Sequence, residues 1–327
     1  VLPAPPGQTT VTLQAVNFSG AVIGTATITI NNTTTVEPGA AANLVVSEIM
    51  YHPADPSPAE IIAGYTDADQ FEYIELTNIS AAVVDLTNVR FTGGIEFDFA
   101  SGVMLQPGAR ILIARDRAAF LARNPGASAL LAAGAFVNGT ALNNAGESLT
   151  LTGAAGTAIK SFAYDDNPPW PAAADGEGYS LVLIAPATNP DHSLAVNWRS
   201  SALPGGNPGT TDAVIFTGDP NADADHDGLN ALLEHAFGTS DSAPGLTEIS
   251  AVTGPDGFMT FEYTRNAAAD DVICEVQLST DLSTWESSAF NTLSDVPLGD
   301  GTSRVTARSN LPAPAPRSFT RLHVRLR

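Results

Sequence analysis

Alternation of apolar and polar residues dominates the chain and predicts strands. In TTVTLQAVN (9–17), Val11, Leu13 and Ala15 alternate with polar neighbours, and AVIGTATITI (21–30) does the same with Ile23, Ala26, Ile28 and Ile30. Asn17–Gly20 between them carries turn chemistry, so residues 1–36 read as a β-hairpin, the end or the remnant of an upstream β domain. An isolated hairpin is marginal in water. Residues 10–30 are therefore expected to pack on another β surface, in this chain or in a neighbour. NNTTTVEPGAAAN (31–43) reads as a linker. Strand patterns then crowd residues 44–200: LVVSEIMY, FEYIELTN, VVDLTNVRF, ARILIAR, ESLTLTG, AIKSFAY and YSLVLIAP. FEYIELTN places Phe71, Tyr73 and Glu75 on one face and Glu72, Ile74 and Leu76 on the other. Turn signals separate many of these runs, which predicts an antiparallel sandwich. Asp116–Arg123 (DRAAFLAR) predicts a short helix ended by Asn124-Pro125-Gly126. Residues 188–218 read as a connector rich in Pro, Gly and Asn. FMTFEYTR, VICEVQLS, SRVTARS and SFTRLHVRLR make residues 249–327 a small C-terminal β domain.

Charge narrows the function classes. The 327 residues carry 35 acids and 14 bases, a formal net charge of −21. That disfavours nucleic-acid binding by phosphate neutralisation and binding to anionic membrane surfaces, both of which need clustered Lys and Arg. No apolar run is long enough to span a membrane. Cys274 is the one cysteine, so no internal disulfide forms, and its apolar setting reads as that of a small buried hydrophobe. Lys160 is the one lysine. No HExxH, GxSxG or Walker-type loop occurs. The chain begins at Val1 with no signal-like segment after it, and reads as processed or as a piece of a longer chain. Glu48, Glu72, Glu75, Asp165, Asp166 and Asp175 read as surface or turn-capping acids. Paired-carboxylate chemistry, or a second cation site at Asp165–Asp175, is the minority alternative. Trp170 and Tyr179 read as edge-packing aromatics, with a sugar-stacking platform as their alternative.

The strongest chemical signal is GDPNADADHDGLNALLEHAFGTS. Counted from Asp223, the spacing fits D-x-[DN]-x-[DN]-G-x5-E, the calcium loop of an EF-hand. Ca²⁺ is a hard ion that takes oxygen ligands, and alternate carboxylates turn inward as a loop coils round it. Asp223, Asp225, Asp227, the Leu229 carbonyl and Glu234 are the expected ligands, with Asp219 and Asn221 extending the shell or holding a second ion. Gly228 permits the sharp turn. Leu229, Leu232, Leu233, Ala236 and Phe237 form one apolar stripe of a helix that Gly238 stops. His226 sits at an outward place of the loop. The ninth loop position is Ala231, which offers no ligand, so water or another loop must fill that place. No Lys or Arg occurs between Arg199 and Arg265. Pro220 and the connector forbid an entering helix. The segment therefore resembles dockerin-like and thrombospondin type 3-like calcium repeats more than a paired sensor.

LVVSEIMYHP (44–53), QFEYIELTN (70–78), VDLTNVRF (84–91), LQPGARILIA (105–114), NNAGESLTLTG (143–153) and YDDNPPWPAAADGEGYSLVL (164–183) together resemble bacterial lamin tail domains. NWRSS…GGNPGT resembles the ending of that type. VICEVQLSTDLSTW resembles terminal modules of large secreted proteins of verrucomicrobial type. The resemblance implies a mainly β chain: a lamin-tail-type, immunoglobulin-like antiparallel sandwich over 44–187, a calcium loop and helix over 219–246, and the C-terminal β domain. The hairpin then belongs to an upstream immunoglobulin-like domain. It also implies an extracellular or cell-surface place and a structural or adhesive role without catalysis, while the open edge of residues 10–30 points to assembly through β-strand addition. The expected partners are other surface proteins or further copies of the chain, and polysaccharide. The alternatives are a carbohydrate-binding accessory region of a secreted hydrolase and an enzyme using the acids above.

Overall fold

The computed structural model describes residues 7–32, 36–245, 249–312 and 317–327. The expected hairpin is present: β1 (Gly7–Val16) and β2 (Val22–Asn32) pair antiparallel across a turn that Asn17 closes through its side chain. Among the described residues this sheet has two strands, and Leu13, Phe18, Ile23 and Ile28 stand exposed. The covering surface expected within this chain is therefore not found among the described residues.

The sandwich follows. Its first strands are β3 (Val36–Pro38), β4 (Leu44–Met50), β5 (Tyr73–Asn78), β6 (Val83–Asp85) and β7 (Arg90–Gly93). Next come β8 (Phe97–Asp98), β9 (Met104–Leu105), β10 (Arg110–Ala114), β11 (Glu147–Thr152) and β12 (Ala158–Tyr164). β13 (Leu181–Leu183) and β14 (Trp198–Ser200) complete it. One sheet has the order β10-β5-β4-β13-β14, a second β12-β11-β7-β8, and a third β3-β6-β9. Two stretches read as linkers join these sheets. Residues 36–38 pair in parallel with β6, and residues 198–200 add the edge strand β14. The core between the sheets includes Leu44, Val46, Ile49, Ile74, Leu76, Phe97, Leu149, Leu151 and Trp198. Trp170 packs partly buried against it, as an edge-packing aromatic should.

The outer face of the five-stranded sheet is also covered, which alternation alone does not reveal. Met50, Tyr73, Leu112 and Ala114 pack there against Phe120 of helix α2 (Arg117–Arg123). A shorter helix, α1 (Pro58–Ile62), precedes it in the chain. The α2 helix starts where Asp116 accepts from the amides of Ala118 and Ala119, and it ends at Asn124. Residues 203–210 complete the cover. This corrects the reading of three acids: Glu48, Glu72 and Glu75 are not surface groups but lie at 0% exposure.

The C-terminal domain comprises β15 (Ile249–Thr253), β16 (Met259–Asn266), β17 (Val272–Ser279), β18 (Phe290–Pro297), β19 (Thr302–Ser309) and β20 (Phe319–Leu326). A four-stranded sheet β15-β16-β19-β18 faces the pair β17-β20, with Phe261, Tyr263, Val276, Val305 and Ala307 between them. Cys274 packs against this cluster, and burial pushes its thiol up to about 11, in keeping with a small apolar filler. The domain is bolted to the sandwich. Arg199 of β14, at 3% exposure, donates Nε to Asp270 (2.6 Å) and Nη2 to Asp212 (2.6 Å). Ala202 packs with Ala267 and Ala268 beside this pair. Among the described residues no helix is long and apolar enough to cross a membrane.

Candidate metal centre

The acidic ladder folds into a loop that closes on itself. The Ala231 amide donates to the Ala222 carbonyl (2.7 Å), fastening the start of the loop to the start of helix α3 (Ala231–Phe237). Within the loop, Gly228 N–H donates to Asp223 (3.3 Å), Asp227 N–H to Asp225 (3.2 Å) and Leu229 N–H to Asp227 (2.8 Å). Gly228 turns the chain at φ 95°, a left-handed conformation that side-chain-bearing residues resist. His226 points outward and is exposed, as its place in the spacing implies.

These bonds bring Asp223, Asp225 and Asp227 together, with one oxygen of each within 4.8 Å of the others. Unit charges 4 Å apart repel by about 1 kcal/mol in water and by about 4 kcal/mol at the effective dielectric near a protein surface. Helix α3 then adds a fourth acid. Its first turn is capped by Asn230, whose side chain accepts from the Leu233 amide, so Asn230 serves the helix. The helix ends at Gly238 as expected. Glu234 lies on it at 1% exposure, with Oε1 accepting from Thr239 (3.3 Å). Oε2 of Glu234, Oδ1 of Asp223 and Oδ2 of Asp225 are buried with no hydrogen-bond partner. Burial, and after it the charge of Asp225, pushes the Glu234 carboxyl above its ordinary range. The amides of Leu229 and Gly245 hold Asp227 below its own. Asp223, Asp225 and Asp227, two of them with oxygens that lack donors, are a partial donor set for a hard divalent cation, and Glu234 lies outside that cluster.

Asp219 and Asn221 stand apart. Both are exposed, and Asp219 accepts from the Asn221 amide (2.9 Å) in a turn of its own. Asp165, Asp166 and Asp175 are not gathered either: Asp165 caps a turn at Asn167, and Asp175 meets His52 Nδ1 at 2.6 Å. The acid that sequence reading passed over is Asp241, which accepts from the Ala224 amide (2.9 Å). Its one signal was its place in the stretch without basic residues.

A second acidic arrangement lies inside the sandwich. Glu48 and Glu75 are cross-strand neighbours on β4 and β5. Oε1 of Glu48 accepts from Tyr73 (2.6 Å), Ser180 (2.6 Å) and the Asn207 amide (2.8 Å). Glu75 accepts from Ser47 (2.7 Å), the Gly209 amide (2.7 Å) and Arg110. Burial, and secondarily Glu75, holds the Glu48 carboxyl above its ordinary range. The pair therefore fastens residues 206–209 over the sheet, beside a cavity lined in part by Tyr73 and Gly206, and Oε2 of Glu48 is buried without a partner. A Cβ on Gly206 would come within 2.1 Å of the Tyr73 hydroxyl, so the cover fits only with glycine there. This is the geometry of a closed structural latch.

Residues 37–166 match the family model of the Lamin Tail Domain. The chain contains a lamin tail domain. The matched stretch runs from β3 to the loop after β12, and the same sheets continue through β13 and β14. A lamin tail domain is an immunoglobulin-like, non-catalytic fold, in accord with the sandwich. No curated protein and no solved structure matches the chain.

Proposed function

We propose that this chain is a non-enzymatic structural and adhesive module of an extracellular or cell-surface protein, in which Ca²⁺ orders the segment between the lamin tail domain and the C-terminal β domain. The observation that carries the reading is the convergence of Asp223, Asp225 and Asp227, with Oδ1 of Asp223 and Oδ2 of Asp225 buried and unpartnered, as is Oε2 of Glu234 on the adjoining helix. The Leu229 carbonyl would supply a further ligand. The helix that bears Glu234 is also part of the joint. Its Ala236 packs with Ala269 and Val272, and His235 Nε2 meets Asp271 at 2.8 Å. Asp271 is next to Asp270, the partner of Arg199. An ion that fixes loop and helix thereby fixes the part of the C-terminal domain that meets the sandwich.

Titrating Ca²⁺ into the protein should give a one-site binding heat, and Ca²⁺ at 100 times its Kd should stabilise the fold by about 2.7 kcal/mol. Glu234→Gln keeps the side-chain shape and removes the charge, and should weaken binding at least tenfold. X-ray scattering should broaden when EDTA removes the ion. A flat titration at millimolar Ca²⁺ would remove the ion from this reading.

Self-association is the second part of the proposal. The hairpin β1–β2 offers long strand edges with exposed Leu13, Phe18 and Ile23, suited to strand addition by another copy or another surface protein. Deleting residues 1–32 spares β3 and should lower the mass measured in solution by light scattering. An unchanged mass would sink the assembly.

A further inference from the structure

We propose that the cleft between the lamin tail domain and the C-terminal β domain binds a neutral polysaccharide chain. The cleft has a volume of about 610 Å³, inside the range of about 300–1,000 Å³ that small-ligand sites occupy. One wall is the proline-flanked turn of residues 168–172, which carries Trp170. A second is residues 193–196, ahead of β14. The third is residues 292–295 of β18, with Arg265 of β16 beside them. None of these residues belongs to the acidic loop or to the hairpin, so the cleft stands independently of the cation and of strand addition. Both domains supply walls, and the joint beneath is fixed: Arg199 lines the cleft and ties the two together through Asp270. Walls held in place before a ligand arrives lower the ordering cost of binding.

The lining sets the ligand class. Trp170 packs partly buried against the sandwich core, its ring 6.2 Å from that of Trp198, and it also lines the cleft. Leu194, Val196 and Leu293, which line it too, are each at least half exposed. This apolar side suits the C–H face of a sugar ring. The polar side is the ion pair of Arg265 and Asp295, each side chain 30% exposed. Arg265 donates Nη2 to Asp295 and Nε to Ser303 (3.3 Å), and among the described residues no hydrogen bond uses its Nη1. Asp295 Oδ1 has no partner. The last torsion of a carboxylate is broad, so a rotation of Asp295 turns that oxygen toward the cleft. The pair then has an acceptor and a donor to spare, side by side. Adjacent hydroxyls of a sugar donate to the one and accept from the other.

Charge and strand geometry disfavour other occupants. An anionic chain is opposed by the net charge of −21, and a cationic one by Arg265 at the site itself. A peptide would have two routes in. β18 is the outer strand of its sheet, but its ladder shifts between Thr292 and Ser294, and a bulge of this kind blunts an edge against strand addition. A polyproline helix docks on an aromatic-lined groove. Here Trp170 is the one aromatic side chain on offer, because Trp198 is 4% exposed and committed to the core.

The test uses the whole chain and calorimetry with cellohexaose, xylohexaose and chitohexaose as neutral probes, hexagalacturonate as an acidic one and decaproline as a peptide. At least one neutral probe should bind at a single site, and hexagalacturonate and decaproline should not. Trp170→Ala should weaken that binding at least tenfold. Asp295→Asn keeps the side-chain volume and should weaken it at least fivefold, and it reads the polar side of the cleft even where Trp170→Ala fails to fold. No binding of any neutral probe at millimolar concentration, or binding that neither variant moves, would overturn the assignment. Hexagalacturonate binding as tightly as the neutral probes would overturn the ligand class. Decaproline binding in their place, and lost in Trp170→Ala, would give the cleft to a peptide and overturn it as well.

Discussion

Replacing Arg199 with methionine should destabilise the protein by roughly 3–5 kcal/mol and separate the unfolding of its two β domains, because a buried ion pair broken from one side leaves uncompensated charge. Arg199 is 3% exposed, and its guanidinium serves two acids at once: Asp270 in the C-terminal domain and Asp212 in the connecting segment. Burial alone would raise the Asp212 carboxyl, but the hydrogen bonds from Arg199 hold it below its ordinary range. Methionine fills similar volume and supplies no donor. Asp212 would keep only the Ala202 amide (2.7 Å), and Asp270 would face the same low-dielectric space without its partner. The contacts that remain across the joint carry no buried charge pair like this one: among them are Ala202 with Ala267 and Ala268, the Val214 amide on the Ala268 carbonyl, the Phe216 amide on Asp271, and residues 172–174 beside 290–297. The stranded charges of Asp212 and Asp270 should weaken this joint more than either domain. Calorimetric melting should therefore show one transition in the wild type and two in Arg199→Met, the first at lower temperature. Coincident single transitions at equal Tm would show that the joint is held elsewhere. The triple variant R199M/D212N/D270N should recover much of the loss, since it removes the stranded charges together with their partner.

What could be read from the sequence divides along a physical line. Patterns with a short period were legible: the alternating strands, the helix that Asp116 starts, the stop at Gly238 and the spacing of the acidic loop. Each is settled by neighbours within a few residues. Burial of Glu48 and Glu75 was not legible, because the cover is made by Asn207 and Gly209, more than a hundred residues along the chain. An acid in a strand reads as solvent-facing until the segment that donates to it is known. The Arg199–Asp270 bond likewise joins residues 71 apart. β3 is a three-residue strand, too short to show a period, and its parallel pairing with β6 lies hidden in a stretch with linker composition. Asp241 falls between these cases. It is close in sequence to the loop but past the end of the motif, and only the return of residues 239–245 places it there.

Stability should fall, not rise, as pH goes from about 4.5 to about 8, and the group that sets the window is Glu72. Its carboxyl is fully buried, accepting from the Leu142 amide (2.8 Å) and from Arg115 (3.0 Å). Burial outweighs both donors and pushes it up to about 8, from an ordinary 4.5. Glu48 is displaced in the same direction, by burial and by Glu75. For a raised carboxyl the folded protein holds the proton that the unfolded chain releases. The stabilisation is therefore complete below about pH 4.5 and is lost as pH rises through the folded value. Glu60, lowered to about 2 chiefly by its hydrogen bonds to Arg123, acts below this window, whereas His192, held down to about 4 by burial, opposes the fall up to about pH 6.5 without matching Glu72 and Glu48 together. The loss for Glu72 should be on the order of 3 kcal/mol, and denaturant midpoints measured at pH 5 and pH 8 in EDTA would show it. Titration of the many surface acids of a chain with net charge −21 acts in the same sense through self-repulsion, so the variant decides the cause. Glu72→Gln cannot ionise, and Arg115 keeps Asp69 as a partner at 3.0 Å. The variant should match or exceed the wild type at pH 8, fall below it at pH 5 and show a flatter dependence between the two. A Glu72→Gln variant whose dependence between pH 5 and pH 8 parallels that of the wild type would mean that Glu72 is ionised throughout and held by Arg115, and that donors outweigh burial in this core.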